Sequence, residues 1–440
     1  MKTRITSQKT INLLCIFLIM LAFISKISLK FLKLIPYSIT PIIFQYGLHP
    51  YINFAVQTII FLGLFYFWIK RGKNKHKLSP IYLLFCSILI FTLSVQTILQ
   101  IVFVNNNKSV IVQIAGLGMA LTLIIFYGII IPSLFEIKYF IKAMTKTGLY
   151  IVILSFFLLP FFSTEMFRGG RFTGLYKHIP HMVSAATFSF IFFLPKLFNN
   201  QKWTLQNNKI LSLLIILILT ICVLITATKA AIFTIIVALF AAIIFFPATN
   251  NSMRLFRFTS LTSVLVCLLF LGVPASDLAY KVSSGKINLG MRKAQDGIQS
   301  RYEEIQRGME QFDRSPYLGS GLLYKFLNNR TDGIEVENYN SFKDPHNFFV
   351  SAALIGGYPL LLLSIIAYIL MIGASVNGLR QEDPDRKIIA IFLLSHLPVF
   401  IIYHVNFSLG GLADRVYWLV FGYMGLSINQ GETYETKRSF

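Results

Sequence analysis

The feature that most constrains this chain is the recurrence of long apolar runs, many of them roughly 18 to 25 residues, along its whole length. A run of that length crosses the hydrocarbon core of a bilayer as a helix, because a helix satisfies its own backbone hydrogen bonds there. Composition agrees, since 55% of the residues are hydrophobic and only 13% are charged, whereas about a quarter are charged in soluble domains. The sequence therefore predicts an all-α, polytopic helical membrane protein.

Twelve of these runs are candidate transmembrane helices, and one long polar interval separates the ninth from the tenth. We expect one integrated domain in which residues 1–275 hold nine spans, 276–345 form a long loop, and 346–440 hold three spans and a cytoplasmic tail. No small-residue cleavage pattern follows the first run, so it is expected to remain as an uncleaved span. The predicted spans are 11–29, 51–69, 80–102, 109–132, 148–163, 181–198, 210–227, 230–247, 259–275, 347–373, 388–405 and 414–430.

The distribution of Lys and Arg predicts the orientation of these spans. With the N-terminus inside, the inner segments hold 21 of the 40 basic residues, the short outer loops hold 9, and the long loop holds 10. Cytoplasmic loops carry the basic excess in helical membrane proteins, so both termini are expected inside and the long loop outside, in the periplasm of a Gram-negative cell. Topology and anionic lipid also account for the net charge of +22, and nucleic-acid binding is excluded.

An amphipathic helix is predicted in the first half of the long loop. At about 100° per residue, Arg301 lies roughly 60° from the centre of its apolar stripe, at the border between lipid and water. Arg301 either anchors the helix as a snorkelling side chain or binds a phosphate group there, and both interpretations stay open. The stripe is formed by Met291, Ala294, Ile298, Tyr302, Ile305, Met309 and Phe312.

A turn and a helix start follow. Residues 315–321, which contain Gly319 and Gly321, are expected to form a tight turn close to another segment or a ligand. Asp344 and Pro345 are typical of an N-cap and a first helical residue, which would place His346 in the first turn of span ten. A helix N-terminus disfavours imidazolium, so a neutral histidine that accepts a proton is one interpretation. An interfacial histidine bonded to the backbone is the other.

Two further features are predicted on the outer face. The loop between spans five and six groups cations and glycines from Arg168 through Arg171 to Lys177. Lys229 lies at the tip between spans seven and eight, where long apolar runs on both sides require it to find an anion, water or a lipid headgroup. Each cation either binds a substrate or anchors the protein in the membrane.

The outer face has little acidic chemistry. No spacing singles out a pair of convergent carboxylates, and no cluster of His, Cys and carboxylate residues indicates a metal. The expectation is therefore no metal and no cofactor. Several cations and one candidate base on one face suit a lipid-linked diphosphate donor, because cations stabilise the charge that develops on a leaving diphosphate while the base activates a hydroxyl.

These residues resemble the O-antigen ligase and O-antigen polymerase superfamily of bacterial membrane glycosyltransferases. The similarity is carried by R-Y-x-x-I-x-x-G-x-x-x-F-x-x-S-P-Y-x-G-x-G at Arg301–Gly321, by His346-Asn347, and by G-G-Y-P-L-L-L-L at Gly356–Leu363. Arg171-Phe-Thr-Gly174 before Ile179-Pro180 resembles the family's R-x-x-G…N-P segment, with Ile where Asn is common. The predicted twelve spans and the late outer loop are similar too.

The resemblance implies roles for the singled-out residues. His346 would deprotonate the acceptor hydroxyl, Arg301 and Lys229 would hold the donor diphosphate, and Arg171 would assist them from another loop. The family usually has Arg at the position of Lys229, and Lys keeps the charge but loses the bidentate fork. The implied reaction is inverting and metal-independent, from undecaprenyl diphosphate to lipid A-core, at the periplasmic face of the inner membrane.

Three alternatives stay open at the level of sequence. An O-antigen polymerase would use the same cations and base to extend a lipid-linked glycan. An O-linked protein glycosyltransferase belongs to the same enzyme class, but such relatives tend to carry a larger C-terminal periplasmic region. A transporter of lipid-linked sugar is expected to show polar residues deep within its spans.

Overall fold

The structure, a computed structural model, describes residues 2–25, 27, 50–71, 76–104, 107–162, 166–168, 171–176, 178–198, 209–226, 228–246, 294–322, 347–402 and 412–426. Helices dominate this part of the chain, as predicted. In order they are α1 (Lys2–Ile24), α2 (Pro50–Arg71), α3 (Pro80–Val104), α4 (Asn107–Thr122), a π-helix (Leu123–Ile130), α5 (Ile131–Leu134), α6 (Ile137–Leu158), α7 (Ile179–Phe198), α8 (Lys209–Ile225), α9 (Lys229–Phe245), α10 (Ala294–Arg314), α11 (Phe348–Arg380), α12 (Pro384–Ile402) and α13 (Leu412–Met424). Predicted span 259–275 and the rest of the long loop lie outside the described residues.

Several helices are apolar and long enough to cross a membrane. Within the described residues, four meet both criteria: Pro80–Phe103, Gln113–Leu134, Ile137–Leu158 and Phe348–Arg380. Shorter apolar helices include Gln8–Ile24, Ala55–Lys70, Ile179–Pro195, Leu214–Ile225 and Ala230–Phe245. The chain is therefore a multi-pass helical membrane protein, and the count of twelve spans stays a prediction.

Two local features were not predicted. Span five was predicted over residues 148–163, and the helix that contains most of it, α6, starts earlier, at Ile137. Its early residues bury Phe140 and Met144, while lysines at four-residue spacing are exposed on the opposite side, so this part of α6 is amphipathic. In the loop that follows, an antiparallel hairpin pairs β1 (Phe167–Arg168) with β2 (Arg171–Phe172).

Helix α11 is broken near its start, where the sequence predicted a continuous span. Gly356 has φ −139° and ψ 26°, and Gly357 has φ +65° and ψ −159°, so neither is helical. The break divides a short segment from residues 358–380, which alone extend about 34 Å at 1.5 Å per residue. That length matches the roughly 30 Å hydrocarbon core of a bilayer. The membrane-spanning part of α11 therefore begins after the break.

The turn that follows α10 occupies this break. The backbone N–H groups of Ser320 and Gly321 donate to the carbonyls of Leu354 (2.6 Å) and Ile355 (3.0 Å). The N–H of Tyr358 donates to the carbonyl of Pro316 (2.7 Å). Polar backbone groups exposed by the break are therefore bonded to the turn, as a low-dielectric interior requires.

Both glycines of the turn have the predicted backbone freedom. Gly319 has φ +68° and Gly321 has φ +94°, in the region that favours glycine. A Cβ on Gly319 would lie 2.6 Å from the backbone of Gly356, and one on Gly321 would overlap the side chain of Gln113. The prediction of a tight turn close to another segment is confirmed.

Contacts between helix ends sort them into two groups. At one end of the bundle, which we call the site end, Arg171 is hydrogen-bonded to Thr226 and Asn347 is hydrogen-bonded to Ile401. At the other end, Leu78 forms a bridge with Leu426, and the Nζ of Lys387 donates to the carbonyl of Phe245 (3.2 Å). The first group contains predicted outer segments and the second contains predicted inner ones. The contacts therefore agree with alternating spans.

Replacing Gly357 by Ala is expected to destabilise the protein. A Cβ at this position would lie 2.5 Å from the backbone of Pro316 and Tyr317, at φ +65°. We expect a loss of about 2 kcal/mol or more, read as a lower midpoint of thermal unfolding in detergent. Gly373→Ala is the matched control, because it lies in the same helix with nothing within 4 Å of the added Cβ. Equal midpoints for the two variants would contradict this description of the break.

Candidate functional site

Arg171 is held at the site end by the tip between α8 and α9. Its Nε donates to the carbonyl of Thr226 at 2.9 Å, and its Nη2 donates to the Oγ1 of Thr228 at 2.7 Å. Both threonines are buried. The next residue of β2, Phe172, is fully buried and stacks on Phe156 with ring centroids 5.5 Å apart. The hairpin thus anchors Arg171, and two directed hydrogen bonds orient its guanidinium.

Thr228 links Arg171 to the start of α9. Thr228 is the N-cap residue of this helix, with an extended backbone, but its side chain makes no capping hydrogen bond. Its hydroxyl instead accepts from Arg171 and donates to the Thr226 carbonyl at 3.3 Å. Lys229 is the first residue of α9. The Arg171 loop therefore contacts the residue that precedes Lys229 in the chain.

The start of α11 differs from the prediction. The N-cap is Asn347 rather than Asp344, and the helix begins at Phe348. The Oδ1 of Asn347 accepts from the N–H groups of Phe349 (2.9 Å) and Val350 (3.0 Å), which satisfies two amides of the first turn. His346 therefore precedes the cap instead of lying in the first turn. His346 itself lies outside the described residues.

Helix α12 places the starts of α9 and α11 at the same end. It packs against both helices. The Lys387–Phe245 contact joins the start of α12 to the end of α9, so the two helices are antiparallel. The Nδ2 of Asn347 donates to the carbonyl of Ile401 at 2.9 Å, beside the end of α12. The Thr228 and Asn347 caps therefore both lie at the end of the bundle where α12 terminates.

Helix α10 presents only part of its predicted apolar stripe to the bundle. Phe312 of the stripe is buried and its ring contacts Tyr358 edge-on at 5.0 Å, whereas Tyr302 and Met309 are 62% and 40% exposed. Glu304 and Gly308, which lie outside the stripe, are buried. The side of α10 that faces the bundle therefore overlaps the predicted stripe without coinciding with it.

The predicted place of Arg301 at a lipid–water border stays a prediction, because its side chain is outside the described residues. The solvent side of α10 holds Glu303 and Arg307, which form an exposed ion pair at 3.5 Å.

Two buried charged residues went unnoticed at the level of sequence. Glu304, in the middle of α10, is 7% exposed. Arg415, in the first turn of α13, is 2% exposed and interacts electrostatically with Tyr127 of the π-helix. The signal for Arg415 was its position inside predicted span 414–430, whereas nothing in the local pattern marks Glu304.

The four predicted site residues are thus described to different degrees. Arg171 and the backbone of Lys229 meet at the α8–α9 tip, and the cap next to His346 lies at the same end. The side chains of Lys229, Arg301 and His346 are outside the described residues, so their meeting stays a prediction. Within the described residues, no group of three His, Cys, Asp or Glu side chains is placed to hold a metal ion.

Comparison with known families matches residues 214–365 to the family model described as O-antigen ligase. This segment is therefore similar to the O-antigen ligase superfamily. The match runs from α8 into α11, so it includes Lys229, Arg301 and His346 but not Arg171. A search of curated proteins found no match to the chain. The resemblance read from the sequence is confirmed for this ligase segment.

Arg171→Lys is expected to loosen the tip that carries Lys229. A lysine ammonium is a point charge and cannot reproduce both bonds of the guanidinium fork. Loss of one bond to a buried acceptor costs about 1 to 3 kcal/mol, measured as a lower thermal midpoint. Arg307→Lys is the control, because Arg307 forms only an exposed pair with Glu303, worth at most about 1 kcal/mol. An unchanged midpoint for Arg171→Lys would show that these bonds do not stabilise the tip.

Proposed function

We propose that the protein is an O-antigen ligase that transfers polysaccharide from undecaprenyl diphosphate to lipid A-core. The observation that carries the proposal is the family match over residues 214–365, which contains Lys229, Arg301 and His346. The packing supports it, because the caps before α9 and α11 lie at the same end of the bundle as Arg171. The reaction is an inverting, metal-independent transfer at the periplasmic face of the inner membrane.

Arg171, Lys229 and Arg301 bind the donor diphosphate in this proposal. Charge develops on the diphosphate as the glycosidic bond breaks, and fixed cations stabilise that charge without reorganising at the moment of reaction. The two hydrogen bonds that orient Arg171 provide such preorganisation. The start of α9 adds to it, since backbone N–H groups and the helix dipole favour anions at a helix N-terminus.

His346 is the general base in this proposal. It accepts the proton of the acceptor hydroxyl while that oxygen attacks the anomeric carbon of the donor. Its neighbour Asn347 is fixed on both sides, by the capped amides of α11 and by the Ile401 carbonyl. Its position just before a helix N-terminus suits this role, because the helix dipole disfavours a positive charge there.

The substrates are amphiphilic, and the described surface suits them. The spanning part of α11 exposes an apolar stripe that includes Leu362 (59%) and Ile369 (60%), which face lipid. Tyr358 (51% exposed) lies at the start of that stripe and contacts Tyr317 (73% exposed) with ring centroids 5.8 Å apart. Exposed tyrosines at a span end are typical of the membrane interface. The break in α11 is therefore near the depth at which lipid diphosphates lie.

Deleting the gene in its source bacterium tests the proposal against its closest alternative. A ligase is expected to leave lipid A-core without O-antigen while lipid-linked polymer accumulates, seen by gel electrophoresis of lipopolysaccharide and of the lipid-linked fraction. Lipid A-core that carries a single repeat unit would instead identify an O-antigen polymerase. Unchanged lipopolysaccharide would refute both.

A further inference from the structure

Three buried glutamines lie in the hairpin formed by α3 and α4. Gln96 and Gln100 lie in the last part of α3, Gln113 lies in α4, and their exposed fractions are 7%, 4% and 2%. An amide in an apolar bundle costs free energy unless it is hydrogen-bonded. Their role therefore depends on the groups that they contact.

All three contact the turn after α10, and one also contacts the broken helix. The Nε2 of Gln100 donates to the carbonyl of Leu318 at 2.6 Å and to that of Ile355 at 3.0 Å. The Nε2 of Gln96 donates to the carbonyl of Tyr317 at 3.2 Å. The Oε1 of Gln113 accepts from the N–H of Leu322 at 3.2 Å.

Gln100 differs from the other two glutamines because it bonds both sides of the joint, which is the point where the turn after α10 packs into the break of α11. Leu318 belongs to the turn, and Ile355 is the last residue before the glycine break of α11. One amide group therefore joins three segments: α3, the turn and α11.

We propose that Gln100 is a positioning residue that clamps α10 onto α11, with Gln96 and Gln113 in support. Its effect on catalysis rests on the proposed function, because α10 carries Arg301 and α11 starts at the cap next to His346. The clamp fixes the angle at which α10 leaves the joint, and so fixes where its far part lies relative to the cap.

The length of α10 between the joint and position 301 amplifies any change in the angle of the helix. Position 301 lies 13 residues before the end of α10, which is about 20 Å along a helix. A tilt of roughly 10° at the joint would move that position by about 3 Å. Displacements of about 1 Å at reacting groups can cost a hundredfold in rate. Donor binding through Arg301 should therefore be sensitive to the side chain at position 100.

Gln100→Leu tests the proposal, with Thr97→Val as the matched control. Leucine keeps much of the volume and removes both bonds. Thr97 is equally buried on the same helix, but its hydroxyl bonds only the carbonyl of Leu93 in that helix, at 2.7 Å. The measurements are hydrogen–deuterium exchange over residues 315–322, and kcat and KM for the lipid-linked donor in liposomes.

For Gln100→Leu we expect exchange over 315–322 to rise by about tenfold or more. The KM for the donor should rise by a similar factor, while the KM for the acceptor stays within about twofold. Thr97→Val should change none of these values. Exchange that stays as slow as in the wild type would overturn the clamp, and faster exchange with an unchanged donor KM would overturn the positioning role.

Two further measurements apply if Gln100→Leu does not fold or if the wild-type protein is inactive. If Gln100→Leu does not fold, Gln96→Leu removes the single bond to Tyr317, and the same rise in exchange, smaller in size, is expected. If the wild-type protein transfers no glycan, the proposed function fails, and the exchange measurement alone still supports or overturns the clamp.

Discussion

The architecture depends on how the broken helix α11 satisfies its backbone. A break in an apolar bundle exposes carbonyl and N–H groups that have no water to bond, at a cost of several kcal/mol per unsatisfied group. Here the turn after α10 supplies donors and an acceptor, and Gln100 supplies a side-chain amide. The break can exist only with that turn in place. The long loop is therefore tied into the bundle at a defined point.

This constraint explains why the loop and the helix ends act together in the proposed site. Helix α10 cannot take an arbitrary orientation, because its end is bonded to α11 and its inner face is packed with Gly308 and Phe312. The start of α11 is fixed by Asn347 to the end of α12, and Arg171 is fixed to the α8–α9 tip. Cations on rigid supports are what stabilisation of a leaving diphosphate requires.

Local pattern predicted much of this, because apolar periodicity and turn residues act over short distances. The spans around α3, α7, α8 and α9, the helix in the loop and the glycine turn are examples. Pattern favoured Asp344 as the N-cap, but Asn347, also a good capping residue, holds that place. The break at Gly356-Gly357 was missed, because its stabilising partner lies some 35 residues earlier in the chain. The stripe of α10 was only partly informative for a similar reason: Phe312 is buried and Tyr302 is exposed, because contacts with the rest of the bundle decide which residues are covered.

The residues of the candidate site could be proposed from the sequence where they lie in recognisable motifs. Lys229, Arg301 and His346 fall within the segment that matches O-antigen ligase, whereas Arg171 lies outside it and was found by grouping the outer loops. The three glutamines and Glu304 carry no motif. Their importance follows from tertiary contacts and burial, which a single sequence does not display.

The most direct test of the account is glycan transfer by the His346→Ala protein. The purified wild-type and variant proteins would be placed in liposomes with a lipid-linked O-antigen donor and lipid A-core, and product formation would be followed by mass spectrometry. If the variant inserts and unfolds like the wild type, transfer is expected to fall by about 100-fold or more, as for loss of a general base. Full transfer by a correctly inserted His346→Ala protein would contradict it.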